Sequence, residues 1–386
     1  MKKIFLIEPN PYHTEVLPGI VKYFSDIQYT VDVYIQNKLL MDNAFCLYPE
    51  PINLHGYDFH EIKSLLGLKN ISEYDFVFFS SMEFTTDGGI YNIIQHLGFI
   101  PVSKYGVLAM YHTTSHIDYF EDHNMGKEGR LFCISPFQMK KYSIKSLTPV
   151  FFGADRKLTS DSKDSIICVG NAFDGKMLGE ALRKMPRKKN MAIPKIHLYG
   201  RRHSNNTSFR KHMILKLKSN VGRLMVRSKV LCSLSSIFIS ENKKNKIIEF
   251  YYMQKYVKKK GGVSFNKLFA EIMKNKYALV LINPRSKNHE HYMSYTTSGI
   301  KQIILGFNRV PIIHKQVAEK YGFNNSNSIT FDDTSLGEVL LSLDDKKYMD
   351  KFLALRQLQE QIFSQSLHNL KITIDNIISA NFLYNK

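Results

Sequence analysis

Short apolar runs alternate with longer amphipathic segments along most of this chain. The apolar runs are four to seven residues long, and polar loops rich in Gly, Pro, Asn or Ser follow most of them. Strands that alternate with helix-length segments are typical of a parallel α/β sheet. The runs that predict strands are 3–7, 30–35, 76–80, 107–111, 131–135, 165–170, 195–200, 277–282 and 310–313.

The predicted strands fall into two groups, separated by a polar stretch at 153–160. Predicted helices at 16–24, 89–97, 136–142 and 301–307 lie between the strands, and the chain from residue 345 onward predicts two long helices. The expected fold is therefore α/β, with two Rossmann-like domains facing across a cleft and C-terminal helices. The expected domains are 1–155, 162–345 and the helical 346–386.

Length and composition agree with a globular protein of two domains. The chain has 386 residues, of which 44% are hydrophobic and 23% charged, and it has no apolar run near the roughly 18–20 residues that span a membrane. The N-terminal MKKIFLIEPN turns polar at Glu8 and reads as a first strand, not a signal peptide, so we expect a cytoplasmic protein. Four separated cysteines without CxxC spacing predict free thiols and no zinc site: Cys46, Cys133, Cys168 and Cys232.

The positive charge is concentrated in one region. The formal net charge is +19, and residues 201–260 contain 16 Lys or Arg and two acids, a local charge of about +14. Such a field favours a polyanionic partner, either anionic lipid, nucleic acid or a phosphate-rich substrate. A solvated surface that only keeps the protein soluble is the simpler alternative.

Two glycine-containing loops are candidates for binding a phosphate group. A glycine after a buried strand lets the backbone turn tightly and approach an anion, although an ordinary strand-to-helix turn has the same pattern. The loop 295–301 carries three hydroxyl residues, a glycine and a lysine directly before a predicted helix, more than N-capping requires. The candidate residues are Gly170, Asn171, Thr296, Thr297, Ser298, Gly299 and Lys301.

Histidines and carboxylates follow two strands of the first half. His13 and Glu15 are two residues apart on the loop after the first strand, which suits a general base and its orienting group. His112, His116 and Asp118 follow the strand at 107–111, and their spacing matches no zinc pattern. They are candidates for a base or for substrate contacts.

The order of these segments resembles that of the GT-B glycosyltransferases. FCISPFQMKKY resembles the strand and helix that end the family's first half, and PVFFGADRK resembles the interdomain stretch. SIICVGNAFDGKMLGEAL resembles the opening of the donor half. YTTSGIKQIILGFNRVPII resembles the helix and strand that contact donor ribose and phosphates.

The resemblance implies a transferase that moves a sugar from a nucleotide-sugar to a glycan acceptor, without a cofactor or metal. The candidate bases are His13, His112 and Glu15, in that order, and His116 and Asp118 are on the acceptor side. The loops with Gly170 and Lys301 would then bind the donor.

The segment before Pro311 resembles one branch of the GT-B glycosyltransferases more than another. The two glutamates of the common retaining branch are replaced by Thr296 and Ile304, while Lys301 stands ten residues before Pro311, as in bacterial surface-polysaccharide transferases of lipopolysaccharide, capsule or O-antigen. The sequence leaves the anomeric outcome open.

The basic region 201–260 looks like an insertion in the donor half. Its apolar residues interleave with the cations, so it can lie on an anionic membrane leaflet, where a lipid-linked acceptor would be found. No nucleic-acid motif is present, and no nucleic-acid partner is expected. The alternatives are a nucleic-acid-binding protein and a sugar-nucleotide epimerase.

Overall fold

The computed structural model describes residues 2–10, 13–42, 44–81, 106–111, 129–134, 144–153, 163–170, 173–185, 194–199, 219–226, 228, 239–260, 263–294 and 299–384. The predicted helices at 89–97 and 136–142, the stretch 154–160, Cys232 and nearly half of the basic region lie outside these residues.

The first sheet has seven parallel strands in the order β3-β2-β1-β4-β5-β6-β7. Its central strands are rich in aromatic and branched residues because both faces are covered. All four residues of β4, for example, are fully buried phenylalanine or valine. The strands are β1 Lys3–Ile7, β2 Thr30–Gln36, β3 Asn53–Tyr57, β4 Phe76–Phe79, β5 Gly106–Tyr111, β6 Leu131–Cys133 and β7 Lys145–Ser146.

The second sheet has six parallel strands in the order β10-β9-β8-β11-β12-β13. Numbered from its own first strand, this order is 3-2-1-4-5-6, the Rossmann order, and the first sheet follows the same order with one more strand. The strands are β8 Lys163–Val169, β9 Ile196–Tyr199, β10 Val257–Lys259, β11 Asn275–Val280, β12 Val310–His314 and β13 Ile329–Phe331.

Helices cover both sheets, and short 3-10 turns precede several of them. The helices are α1 Leu17–Asp26, α2 Ile62–Leu65, α3 Leu68–Ile71, α4 Gly175–Lys184, α5 Glu241–Tyr256, α6 Phe265–Met273, α7 Glu290–Ser294, α8 Ile300–Phe307, α9 Lys315–Tyr321, α10 Leu336–Leu341 and α11 Asp345–Tyr384. Residues 219–226 are also helical.

Every strand predicted from the sequence is present, and four more strands occur that the sequence did not indicate. The four are β3, β7, β10 and β13, and they form the outer edges of the two sheets. An edge strand is covered on fewer sides, so it lacks the continuous apolar run that marks a central parallel strand. Cys133 and Cys168 are buried free thiols, as predicted.

The two predicted C-terminal helices are wrong, because α11 is one continuous helix of 40 residues. No Gly or Pro interrupts residues 345–384, so nothing in the backbone ends the first half of the helix. Its apolar residues contact both halves of the chain. Leu355 packs in the core of the second sheet, while Leu370, Ile374 and Ile377 pack in the core of the first.

Side chains of α11 also pair with the backbone of the segment that leaves the first sheet. Gln359 Nε2 donates to the Val150 carbonyl at 2.9 Å, and Asn369 Nδ2 donates to the Ser146 carbonyl at 2.8 Å. The Thr148 N–H donates to Ser366 Oγ at 3.0 Å. These bonds satisfy buried polar groups that would otherwise cost about 1–3 kcal/mol each.

The same segment packs against α8. The Phe152 ring stacks on Phe307 with ring centroids 5.0 Å apart, and it lies directly over Gly306. A Cβ on Gly306 would be 2.2 Å from two ring carbons of Phe152. Only glycine fits at this contact.

We therefore expect Gly306→Ala to destabilise the fold by about 1–3 kcal/mol, the usual cost of overpacking a core. Urea unfolding measures the change. Gly179→Ala is the matched control in a helix, because its Cβ would come no closer than 3.3 Å to a neighbour, the Cβ of Glu249. We expect that control to be neutral or slightly stabilising, and equal free energies of unfolding for the two variants would contradict the packing argument.

Candidate functional site

In open parallel sheets, ligands bind beyond the carboxyl ends of the strands, at the point where the strand order reverses. In this chain the reversal lies between β1 and β4 in the first sheet and between β8 and β11 in the second. The residues that follow these four strands therefore define the candidate site.

A buried carboxyl group, Glu8, follows β1. Its Oε1 accepts from the Asn10 N–H at 2.8 Å, and its Oε2 is 2.6 Å from the Ser80 hydroxyl at the end of β4. The Ser81 hydroxyl contacts Oε1 and in turn accepts from Asn10 Nδ2 at 2.9 Å. The Tyr57 hydroxyl donates to the Glu8 carbonyl at 3.1 Å. This network holds the start of the loop that carries His13.

Burial controls the charge of Glu8. Removal of the side chain from water raises its pKa from an ordinary 4.5 to about 8, although the nearby His13 and the hydrogen bonds from Ser80 and Ser81 oppose the shift. Glu8 is therefore protonated at neutral pH, and it presents a neutral acid next to the candidate base.

His13 and Glu15 lie at the other end of this loop. His13 adopts a left-handed backbone conformation with φ of 68° and starts the 3-10 turn Thr14–Val16. Its Nδ1 is 3.6 Å from Glu15 Oε1, and the side chains are 30% and 19% exposed. The imidazole is thus accessible, and a carboxylate lies on the side of its Nδ1.

Glu15 also reaches the second half of the chain. Its Oε1 is 3.3 Å from the position that a Cβ on Gly299 would take. Gly299 directly precedes α8, whose first backbone N–H groups carry a partial positive charge. The loop after β1 and the start of α8 therefore meet at one place.

The second sheet presents a tight turn at the end of β8. Gly170 has a φ of 104°, and no described atom lies within 4 Å of the position of its missing Cβ. The turn leads to Asp174, whose Oδ1 caps α4 by accepting from the N–H groups of Lys176 and Met177. Among the described residues, nothing occupies the side of Gly170 on which a Cβ would stand.

A second polar cluster follows β11. Asn283 Nδ2 donates to Asp174 Oδ2 at 2.7 Å, and the Asn283 N–H donates to His289 Nδ1 at 2.9 Å. The accepting Nδ1 makes Nε2 the protonated nitrogen of a neutral His289, and burial lowers its pKa even though Asp174 opposes the shift. His289 therefore offers an N–H donor at the carboxyl edge of the second sheet.

Lys301 lies on the first turn of α8 and is only 1% exposed. Burial lowers its pKa to about 8, while the Cys133 thiol has a small opposing effect. The side chain is thus mostly charged at neutral pH, and it lies inside the protein, not on an open surface. Gln302, the next residue, is buried, and both polar atoms of its side chain lack a hydrogen-bond partner among the described residues.

Several predicted site residues lie outside the described residues: Asn171, His112, His116, Asp118, Thr296, Thr297 and Ser298. Of the others, the structure brings His13, Glu15 and Gly299 together. It places Gly170 directly after β8, in the second sheet. In the described part of the chain, no group of three or more His, Cys, Asp or Glu residues could hold a metal ion. No described helix is long and apolar enough to cross a membrane.

The sequence reasoning missed Glu8, Ser80 and Ser81, and it missed Asp174, Asn283 and His289. The signal that could have found most of them is their position, since all except His289 come within a few residues of the end of a buried strand. Glu8 and Ser80, like Asp174 and Asn283, are far apart in the sequence, so only the order of the strands brings these partners together.

No family model matches the chain, and no curated protein matches its sequence. Solved structures match it over nearly its whole length. Anabaena Alr3699/HepE, solved with UDP and glucose, has a TM-score of 0.51 at 13% identity, with 100% of both chains covered. AviGT4, a glycosyltransferase involved in avilamycin A biosynthesis, has a TM-score of 0.52 at 10% identity, covering 97% of this chain and 98% of AviGT4.

A third structure is that of an alpha-glucosyltransferase in complex with UDP and a 13-mer DNA containing a central A:G mismatch. Its TM-score is 0.53 at 12% identity, and the match covers 98% of this chain and 99% of that one. Together with the two Rossmann-ordered sheets, these likenesses show that the chain has the GT-B fold, as the sequence predicted.

The protonated state of Glu8 makes a prediction about stability. Between about pH 4.5 and 8 the unfolded chain releases the Glu8 proton and the folded chain keeps it. Folded stability therefore falls as the pH rises, by at most about 1.4 kcal/mol per pH unit. Glu8→Gln removes this dependence, so we expect the variant to gain stability over the wild type between pH 5 and 8 in urea unfolding.

The control for this prediction is Glu73→Gln. Glu73 is exposed and pairs with Lys3 at 3.3 Å, so its loss should cost little at any pH in this range. A difference between wild type and Glu8→Gln that stays constant from pH 5 to 8 would contradict a protonated Glu8.

Proposed function

We propose that the protein is a glycosyltransferase that moves a sugar from a nucleotide-sugar donor to an acceptor. The observation that carries the proposal is the match of nearly the entire chain, at TM-scores above 0.5, to the glycosyltransferase AviGT4 and to an alpha-glucosyltransferase solved with UDP. The described geometry agrees with it, because polar groups converge at the strand ends where such a fold binds ligands.

The donor is proposed to bind at the carboxyl edge of the second sheet, with its diphosphate at the start of α8. The predicted contacts are Gly170, Asn171, Thr296, Thr297, Ser298, Gly299 and Lys301. The leaving nucleotide carries negative charge, and fixed cations and helix N-termini stabilise such charge without reorganisation. Lys301 supplies the cation from the first turn of α8. Because it is buried, its charge is screened less than that of a surface lysine.

The proposed base is His13, with Glu15 as its orienting group. Glu15 lies near Nδ1 at 3.6 Å, and the neutral imidazole would accept the proton of the acceptor hydroxyl at Nε2. The proximity of Glu15 to Gly299 brings this pair next to the start of α8, where the donor would release its sugar. His112 is the alternative base, and His116 and Asp118 are proposed acceptor contacts.

The proposed acceptor is a lipid-linked precursor of a surface glycan, such as lipopolysaccharide, capsule or O-antigen. The support is the segment 295–313, which resembles surface-polysaccharide transferases, and the charge of about +14 in residues 201–260. A cytoplasmic enzyme with such a surface would bind peripherally to the anionic inner face of the plasma membrane.

A nucleic-acid acceptor is the second candidate. The structure of the alpha-glucosyltransferase holds DNA as well as UDP, and a net charge of +19 suits a polyphosphate partner. Incubation with a labelled nucleotide-sugar separates the candidates, because label would enter either a lipid extract or duplex DNA. An epimerase would instead isomerise the donor when no acceptor is present.

A thermal-shift screen against UDP, GDP, CMP and dTDP tests the donor site. We expect one nucleotide to raise the Tm, since a ligand of the folded state stabilises it, and we expect EDTA to leave the shift unchanged. Lys301→Met should reduce the shift. Lys315→Met is the matched control, because the exposed Lys315 begins the next helix, α9, on the same sheet.

No shift with any of the four nucleotides would contradict the proposed function. A shift that EDTA abolishes would contradict metal-independent binding, and an equal shift in Lys301→Met and the wild type would contradict the role of Lys301.

Substitution of His13 tests the base. Transfer of the sugar to water, measured as nucleotide release, also needs a base, and general-base catalysis contributes about 100-fold or more to such a rate. We expect His13→Gln to lose this factor while it retains the nucleotide-dependent Tm shift, and Glu15→Gln to lose less. The exposed His60→Gln is the control. If His13→Gln releases nucleotide as fast as the wild type, the general base is another residue.

A further inference from the structure

Basic side chains converge on one face at the edge of the second sheet. In the register of β9 and β10, Lys258 lies opposite His197 and Lys259 opposite Leu198, and the Lys260 N–H donates to the Leu198 carbonyl at 2.9 Å. Successive side chains of a strand point to opposite faces. Lys195, His197, Lys258 and Lys260 therefore share one face, and we call them the lysine–histidine cluster.

The cores on the two sides of the sheet confirm this assignment. Ile196 and Val257 pack in the core on one side of the second sheet, and Tyr199 packs in the core on the other. His197 and Lys258 are next to the first pair in sequence, so they face the side of Tyr199. Lys259 faces the opposite side, together with Val257.

The cluster carries positive charge with little compensation. Its three lysines are exposed, and none of them forms an ion pair with a described residue. The described acid whose charge acts on His197 is Glu271, and it is already engaged by Tyr199 Oη and by Lys274 Nζ, each at 3.1 Å. An anionic ligand would therefore meet an open positive field.

His197 gives the cluster a second, independent feature. Its Nδ1 is buried and has no hydrogen-bond partner in the described part of the chain, which is uncommon for a buried polar atom. Partial burial, and then the charges of Lys260 and Lys258, lower the pKa of His197. The imidazole is thus kept neutral, and an anion that binds among the neighbouring lysines would favour its protonated form.

Protection of the sheet edge explains only part of this arrangement. Lysines on an edge strand prevent pairing with another chain, and either of the two on β10 would serve that purpose. Edge protection does not require a lysine before β9 or an unpaired imidazole on the same face. These two features indicate a ligand.

We propose that the lysine–histidine cluster binds a phosphate or pyrophosphate group. Residues two apart on a strand are about 6.6 Å apart and neighbouring strands about 4.8 Å apart, so the cluster spans the size of one or two phosphoryl groups. Mobile lysine ammonium groups surround the oxygens, and His197 donates to one of them once it is protonated. The group belongs either to a lipid headgroup or to a free phosphate compound.

Binding at this cluster takes up a proton. An anion next to His197 favours the charged imidazolium, so it raises the pKa that the neighbouring lysines lower. Pyrophosphate also gains protons in this range, so the test compares variants: as the pH falls from 8 to 6, binding by the wild type should strengthen relative to binding by His197→Gln. The cluster lies on the outer edge of the sheet and shares no residue with the proposed transferase site. The phosphate-binding proposal can therefore be tested independently of the proposed function.

The test uses inorganic pyrophosphate and isothermal titration calorimetry. We expect the double variant Lys258→Gln/Lys260→Gln to bind about tenfold more weakly than the wild type or worse, which is 1.4 kcal/mol. Lys259→Gln is the matched control, because it removes the same charge from the same strand on the opposite face. We expect it to bind within about twofold of the wild type. Unchanged melting curves show that both variants fold.

Vesicles identify the source of the phosphate. The assay is sedimentation of the protein with phosphatidylcholine vesicles that contain phosphatidic acid. If the double variant loses this sedimentation and Lys259→Gln keeps it, the phosphate belongs to a lipid headgroup. Pyrophosphate binding without such sedimentation assigns a free phosphate compound.

Two results would overturn the proposal. One is pyrophosphate binding that is equal in the wild type and the double variant. The other is an equal loss in Lys259→Gln and the double variant, together with tight binding of a duplex oligonucleotide, which would indicate a general attraction of polyanions by the basic surface.

Discussion

The chain must leave the first sheet over residues 146–152 without leaving buried backbone groups unpaired. It does so under the C-terminal helix α11, whose Gln359, Ser366 and Asn369 side chains pair with the backbone of that segment. The Tyr23 hydroxyl of α1 donates to the Thr148 carbonyl at 2.5 Å and adds a contact from the first half. The path of the chain between the sheets is therefore fixed by residues more than 200 positions further along.

The remaining contacts between the halves depend on this passage. Phe152, just beyond it, packs on Gly306 and Phe307, and so determines where α8 lies. The start of α8 then meets Glu15 from the loop after β1. Another contact, from the Phe265 N–H to Asp42 Oδ1 at 2.9 Å, joins α6 to the first half. The candidate site is consequently a product of the same packing that holds the two sheets together.

The groups that the first and second sheets contribute to the candidate site differ in their charge. On the first sheet, burial keeps Glu8 protonated beside His13, so one acid there is neutral and the other, Glu15, is partly exposed. On the second sheet, Asp174 is held by two backbone N–H groups and by Asn283, and His289 is kept neutral by burial. An anionic donor suits the second side, where backbone donors and a buried lysine predominate.

The sequence by itself determined the central strands, the two-sheet organisation and the free thiols, because these follow from local patterns. A central parallel strand is apolar on both faces, so a short run of large apolar residues such as Phe76 to Phe79 predicts a buried strand. The position of candidate residues after strands, as for His13 and Gly170, is local in the same way.

Only the tertiary structure decided which strands form the edges, that α11 is one helix shared by both cores, and that Glu8 is a protonated acid. Those outcomes depend on burial by residues distant in the sequence, such as Ser80 against Glu8 or Leu370 against the first sheet, and no local pattern contains that information.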